Sequence, residues 1–155
     1  MPLPPPPLDA NGKVTRYNCT AIPCDAVIIR RVSSLQVVND AKSPSGKRLS
    51  SAVFKESSPK GSGKSVDLEM LIEEAGLNPR AFVTTPRWIG SICYLAQSLR
   101  DLGFDIGSHP ITGEFENPYH GEVWGDFSSA QIKRMPRLAS WYVEITGVDI
   151  CVGEG

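Results

Sequence analysis

No basic tract runs through these 155 residues: sixteen Lys and Arg stand against seventeen Asp and Glu, dispersed along the chain, for a net charge of −1. A surface for the phosphate backbone of a nucleic acid therefore has no support in the sequence. Long apolar runs are missing too, none approaching the roughly 20 residues of a membrane helix. The first residues lack the basic and apolar regions of a signal peptide, so a soluble protein in a reducing cytoplasm is expected. The four cysteines suit that setting. Cys19 and Cys24 have no second close pair with which to close a zinc site, and isolated thiols are expected. Without an export route the sequon Asn18-Cys19-Thr20 is coincidental. Internal repeats are absent as well.

What is present is enough apolar material, 41% of residues, for one globular domain over residues 14–155 without disulfide or metal staples. Ahead of it, residues 1–13 carry four successive prolines, which forbid helix and ladder alike and read as a flexible polyproline II tail. Asp25–Val32 is a strand rich in β-branched residues that sends Arg30 and Arg31 to opposite faces. Leu35–Val38 extends or pairs with it, Asn39–Arg48 is a hairpin-like loop, and Ser50–Lys55 is a short second strand. Ser65 opens a helix with Leu68, Leu71, Ile72 and Ala75 on one face and Gly76 as its terminator. Arg80–Thr84 reads as a strand. Ser91–Leu102 reads as a helix, since Ile92, Leu95, Ala96, Leu99 and Leu102 recur at three and four. Ser128 and Gln131 form a capping box for a further helix that Pro136 interrupts, and the C-terminal TGVDICVGEG supplies one last strand. Strands interleaved with helices in no βαβ rhythm point to a single α+β domain, a mixed or antiparallel sheet with two or three helices packed on it.

The chemistry-bearing residues gather between Gly103 and Gly125, where both histidines, three glutamates and an aromatic cluster sit between glycines. Asn117-Pro118 is an extended or turn dipeptide. Tyr119–Trp124 alternates as a strand, placing His120, Glu122 and Trp124 on one face, with the imidazole and the carboxylate about 7 Å apart along it. An imidazole that titrates near neutrality serves as acid or base, and the carboxylate orients it or binds a hydroxyl, so His120 and Glu122 are the candidate catalytic pair. Arg31, Ser51, Asn117, Tyr119 and Trp124 are the candidate ligand-binding residues. No metal site is expected: ten residues separate His109 from His120, which matches no helical metal-binding spacing. Ser58–Ser65, SPKGSGKS, ends like a phosphate-binding loop, but Ser58 replaces its first glycine and no apolar run ending in Asp supplies a metal ligand, so it reads as a solvated linker.

Arg31, Ser51 and Glu122 follow in the chain order of the Arg, Ser-x-Ser, Glu arrangement, which resembles that of ADP-ribosyltransferases. The resemblance implies NAD as cofactor, with Arg31 on a phosphate, Ser51 supporting the nicotinamide pocket and Glu122 stabilising an oxocarbenium-like transition state. The chain departs from that pattern where His120 stands in place of a second Glu or Gln. A second succession, RLSSAVFK, KSVDLEMLI and FENPYHGEVWG, over roughly Arg31 to Gly125, resembles a pattern in short uncharacterised bacterial proteins and implies a bacterial cytoplasmic domain without implying an activity. Two functions follow as expectations. One is an accessory or binding domain that holds a small polar ligand or a partner peptide at the Asn117–Trp124 surface. The other is a compact enzyme using NAD.

Overall fold

A computed structural model describes residues 3–55 and 63–151. Its main sheet has six strands: β1 (Val27–Val32), β4 (Lys64–Leu68), β5 (Gly90–Leu95), β6 (Asp105–Ser108), β7 (His120–Trp124) and β8 (Ser140–Val143). They lie in the order β6-β7-β4-β1-β5-β8 with every neighbouring pair antiparallel. Two short strands, β2 (Val37–Asn39) and β3 (Lys47–Leu49), form a separate hairpin. The expected α+β class holds, with an antiparallel sheet and four short helices among the described residues: α1 (Glu69–Glu74), α2 (Pro79–Val83), α3 (Ala96–Asp101) and α4 (Ser129–Leu138).

Alternation along the strands sorts the core onto two faces. Ile28, Val66, Ile92, Tyr94, Ile106 and Val123 point to one side, where Leu99 of α3 and Met135 of α4 cover them. Ile29 points to the other and meets Ile72 of α1 and Val83 of α2. Leu3 packs at the edge of the larger cluster, and Leu8 bridges to Val14 within the proline-rich segment.

Several expected elements come out differently. Ser91–Leu102 is not one helix: Gly90–Leu95 pairs with both β1 and β8, and α3 starts only at Ala96. Ile92 and Tyr94 are buried on one side while Cys93 faces the other, so ladder pairing on both edges overrides a spacing that suited either element. The helix expected from Ser65 is likewise a strand as far as Leu68, held between β1 and β7. Of the expected strand Arg80–Thr84, residues Arg80 to Val83 lie in helix α2 and Thr84 is its C-cap, because the Asn78 side chain accepts from Ala81 N and Pro79 follows at the first helical position. Ser50–Lys55 is a turn of 3-10 helix, Ser51–Phe54, capped by the Ser50 hydroxyl. The C-terminal stretch makes a single bridge, Arg48 to Asp149, rather than a strand among the described residues. Ser128 caps α4 by accepting from Gln131 N, but the reciprocal half of the capping box is replaced: Ser128 N donates to Asp126 and the Gln131 amide to Leu102 O, and α4 runs through Pro136 instead of stopping there.

Candidate functional site

The register of the central strands gathers polar side chains on the face opposite the larger core. Asp67 lies across from His120 and Ser65 across from Glu122; Ile29 lies across from Asp67. Arg31, two residues on from Ile29, shares that face. Its guanidinium grips Asp67 at two points, Nε to Oδ2 at 2.8 Å and Nη2 to Oδ1 at 3.0 Å. Asn117 Nδ2 donates to the same Oδ1 at 2.9 Å, while its own oxygen accepts from Tyr119 N. That second bond is an Asx turn, which holds the chain around Pro118. Phe82 lies beneath the Arg31 guanidinium, 5.4 Å from the ring centroid.

A cleft of about 350 Å³ opens over this row, lined by Arg31, Asp67, Asn117 and His120 with Trp88 and Ile111 as apolar wall. Arg30 also borders it, but its Nε and Nη1 are bound to the carbonyls of Val53 and Ser65, at 3.2 and 2.8 Å. Desolvation lowers the Arg30 pKa, yet a guanidinium stays charged at any ordinary pH. The two arginines face the Asp67 carboxylate in the cleft lining and the Glu122 carboxylate beside His120.

Next to the cleft, β6 and β7 form a hairpin whose register, Ser108 across from Gly121, continues so that His109 N donates to His120 O at 2.9 Å. The two imidazoles meet edge to face with centroids 5.2 Å apart. His120 Nδ1 lies 2.6 Å from the His109 carbonyl oxygen. A carbonyl only accepts, so Nδ1 carries the proton and Nε2 is left with its lone pair. Burial lowers the His120 pKa below its ordinary value, outweighing the hydrogen bond that the ring donates to this carbonyl and the nearby Glu122, which raise it, so the neutral ring dominates at pH 7. Its Nε2 faces Glu122 Oε1 at 3.6 Å, and His109 Nδ1 lies 3.2 Å from the same oxygen. Ser65 Oγ stands 3.4 Å from it. The second carboxylate oxygen, Oε2, is buried and has no hydrogen-bond partner among the described residues.

No family model, curated protein or solved structure matches the chain. Its site is accordingly read from its own geometry.

Of the expected site residues, Arg31, Asn117 and His120 line one cleft, and Glu122 stands beside His120 on the same strand face. Ser51 does not join them. It is exposed and lines a different hollow with Phe54 and Pro136, because its segment coils into a 3-10 turn instead of continuing the sheet. Tyr119 packs edge-on against Phe82 at 5.1 Å, and Trp124 packs against Tyr17 at 5.8 Å beyond His109, so both act as supports outside the cleft. Asp67, Trp88 and His109 carry much of the arrangement and were not singled out as ligand-binding residues. The alternation of Lys-Ser-Val-Asp-Leu was the available signal: read as a strand, it places Ser65 and Asp67 on one face. The phosphate-loop segment lies largely outside the described residues. Its Lys64 is within them, fully buried on the opposite face with Nζ over the Tyr94 ring at 4.6 Å.

Proposed function

We propose that this chain is a binding domain for a small polar ligand bearing an anionic or acceptor-rich group, held in the cleft over the Arg31–Asp67–Asn117 row. The observation that carries the reading is convergence: residues from β1, β4, β7 and the Asn117 turn, remote in sequence, present an arginine, an amide and an imidazole to one concavity with an aromatic wall. The salt bridge to Asp67 fixes the guanidinium in place before any ligand arrives, which lowers the ordering cost of binding. Trp88 supplies a flat apolar surface against which the ligand body lies. The absence, among the described residues, of any helix long and apolar enough to cross a membrane, together with four unpaired cysteines, supports a role inside a reducing compartment. The motif succession that resembles a pattern in short bacterial proteins supports a bacterial cytoplasm.

A thermal-shift screen of dicarboxylates, phosphate esters and nucleotides including NAD tests the proposal. A ligand present at 100 times its dissociation constant should stabilise the fold by about 2.7 kcal/mol, at roughly 2–4 °C per kcal/mol for a chain of this size. Trp88→Ala and Asn117→Ala should weaken that ligand while leaving the fold intact. Failure of every acidic ligand to raise the melting temperature, or full affinity in both variants, would refute the cleft as a binding site.

The second reading, a compact NAD-using transferase, retains support in one respect: Arg31 and Glu122 share a sheet face, with Ser65 opposite Glu122. Ser51, which that reading needs, lies elsewhere. Release of nicotinamide from NAD by the wild type, abolished in Glu122→Gln, would favour it over simple binding.

A further inference from the structure

We propose that His109, His120 and Glu122 form a mononuclear site for a divalent transition metal, zinc by preference, with His109 Nδ1, His120 Nε2 and the Glu122 carboxylate as its protein ligands. The three ligand atoms lie within 4.8 Å of one another. Atoms bound to zinc at about 2.0–2.1 Å stand roughly 3.3–3.4 Å apart in a tetrahedron. The two separations from Glu122 Oε1, 3.2 Å to His109 and 3.6 Å to His120, bracket that edge.

Three further features point the same way. The His109 carbonyl holds the His120 Nδ1 proton, so Nε2 is oriented and bare; histidine ligands are typically fixed through their second nitrogen in this manner. That lone pair faces Glu122 Oε1 across 3.6 Å, a gap in which a cation would bond to both atoms. Glu122 Oε2 is buried with no hydrogen-bond partner among the described residues and retains lone pairs for a further ligand. The hairpin register explains how the histidines meet despite their sequence separation, and Gly107, opposite Glu122, contributes no side chain to crowd the carboxylate.

Two imidazoles and one carboxylate are a borderline donor set, suited to zinc and its neighbours rather than to magnesium or calcium. Three protein ligands leave a fourth position for water or a substrate oxygen, the pattern of metal sites that act on a ligand. His109 lines a second hollow with Lys13, Arg16 and Trp124, through which the ion and that fourth ligand enter. In the metal-bound form Nδ1 of His109 carries the lone pair and the ring proton sits on the other nitrogen.

Chelator-treated full-length protein titrated with zinc in a calorimeter, and with cobalt(II) followed in the visible, tests the assignment. One ion per chain and the intense d–d bands of four-coordinate cobalt are expected. His109→Ala should lose affinity by about 100-fold or more, beyond the 10–100-fold typical of outer-shell partners, and Glu122→Gln should do likewise. Because His109 is partly exposed, its variant is the one least exposed to folding defects, which circular dichroism checks; the wild-type titration and cobalt spectrum stand without any variant. No saturable zinc binding, a six-coordinate cobalt spectrum, or unchanged affinity in folded His109→Ala overturns the proposal. His109 is not part of the Arg31 cleft, so loss of metal and loss of the cleft ligand are separate results.

Discussion

Replacing Lys64 by Met should stabilise the protein. Lys64 is fully buried on the core face of β4, and its side-chain nitrogen has no hydrogen-bond partner among the described residues. Nζ lies over the Tyr94 ring at 4.6 Å. Desolvation, and then the positive charge of Arg30, push its pKa well below the ordinary value of 10.5. Arg30 is bound to two carbonyls and holds its proton, so the lysine is the group that yields. Methionine keeps the unbranched stem and removes the unmet donor, whose burial costs about 1–3 kcal/mol. Lys64→Met should therefore gain about 1–3 kcal/mol at pH 7, at roughly 2–4 °C of melting temperature per kcal/mol.

The gain should depend on pH with a definite sign. Below 10.5 the unfolded lysine binds a proton that the folded one resists, so the unfolded state holds more protons and wild-type stability rises with pH. The advantage of Lys64→Met should consequently shrink as pH climbs from 7 toward 10.5. Urea denaturation of both proteins across that range, with circular dichroism as readout, provides the check. A variant less stable than wild type at pH 7, or a difference that stays flat with pH, would show that Lys64 is charged and satisfied in the fold and would refute the reasoning.

Two further outcomes follow from packing and pairing. Leu99→Ala, at a fully buried position of α3, should cost about 2–5 kcal/mol, whereas Leu95→Ala, half exposed at the end of β5, should cost well under half of that; equal losses by chemical denaturation would restore the single helix and contradict the β5 pairing. Asp67→Ala removes the partner of both Arg31 and Asn117 and should cost about 3–5 kcal/mol, because a partly buried guanidinium is left unpaired; a loss below 1 kcal/mol in the same assay would show that the row contributes little to stability.

Legibility varied with how local the determining physics was. The strand at Tyr119–Trp124, with His120 and Glu122 sharing a face, follows from alternation alone and appears as β7. The Ser128 cap is a contact within four residues, and it too could be read directly. Ile92 to Leu102 could not, since its apolar spacing satisfies a strand at one end and a helix at the other, and only the hydrogen bonds of β1 and β8 choose between them. The same holds for Asp67, which falls in the helix expected from Ser65: its strand exists because two neighbours pair with it.

The sequence by itself determined the α+β class, the two faces of β7 and the concentration of reactive groups between residues 103 and 125, since each depends on composition or on periodicity within a few residues. Tertiary structure alone decided that Asp67 holds Arg31 and Asn117, that Ser51 stands apart, and that His109 meets His120 and Glu122. Those are matters of strand order and register, set by which apolar faces bury together, and register carries no mark in any one segment.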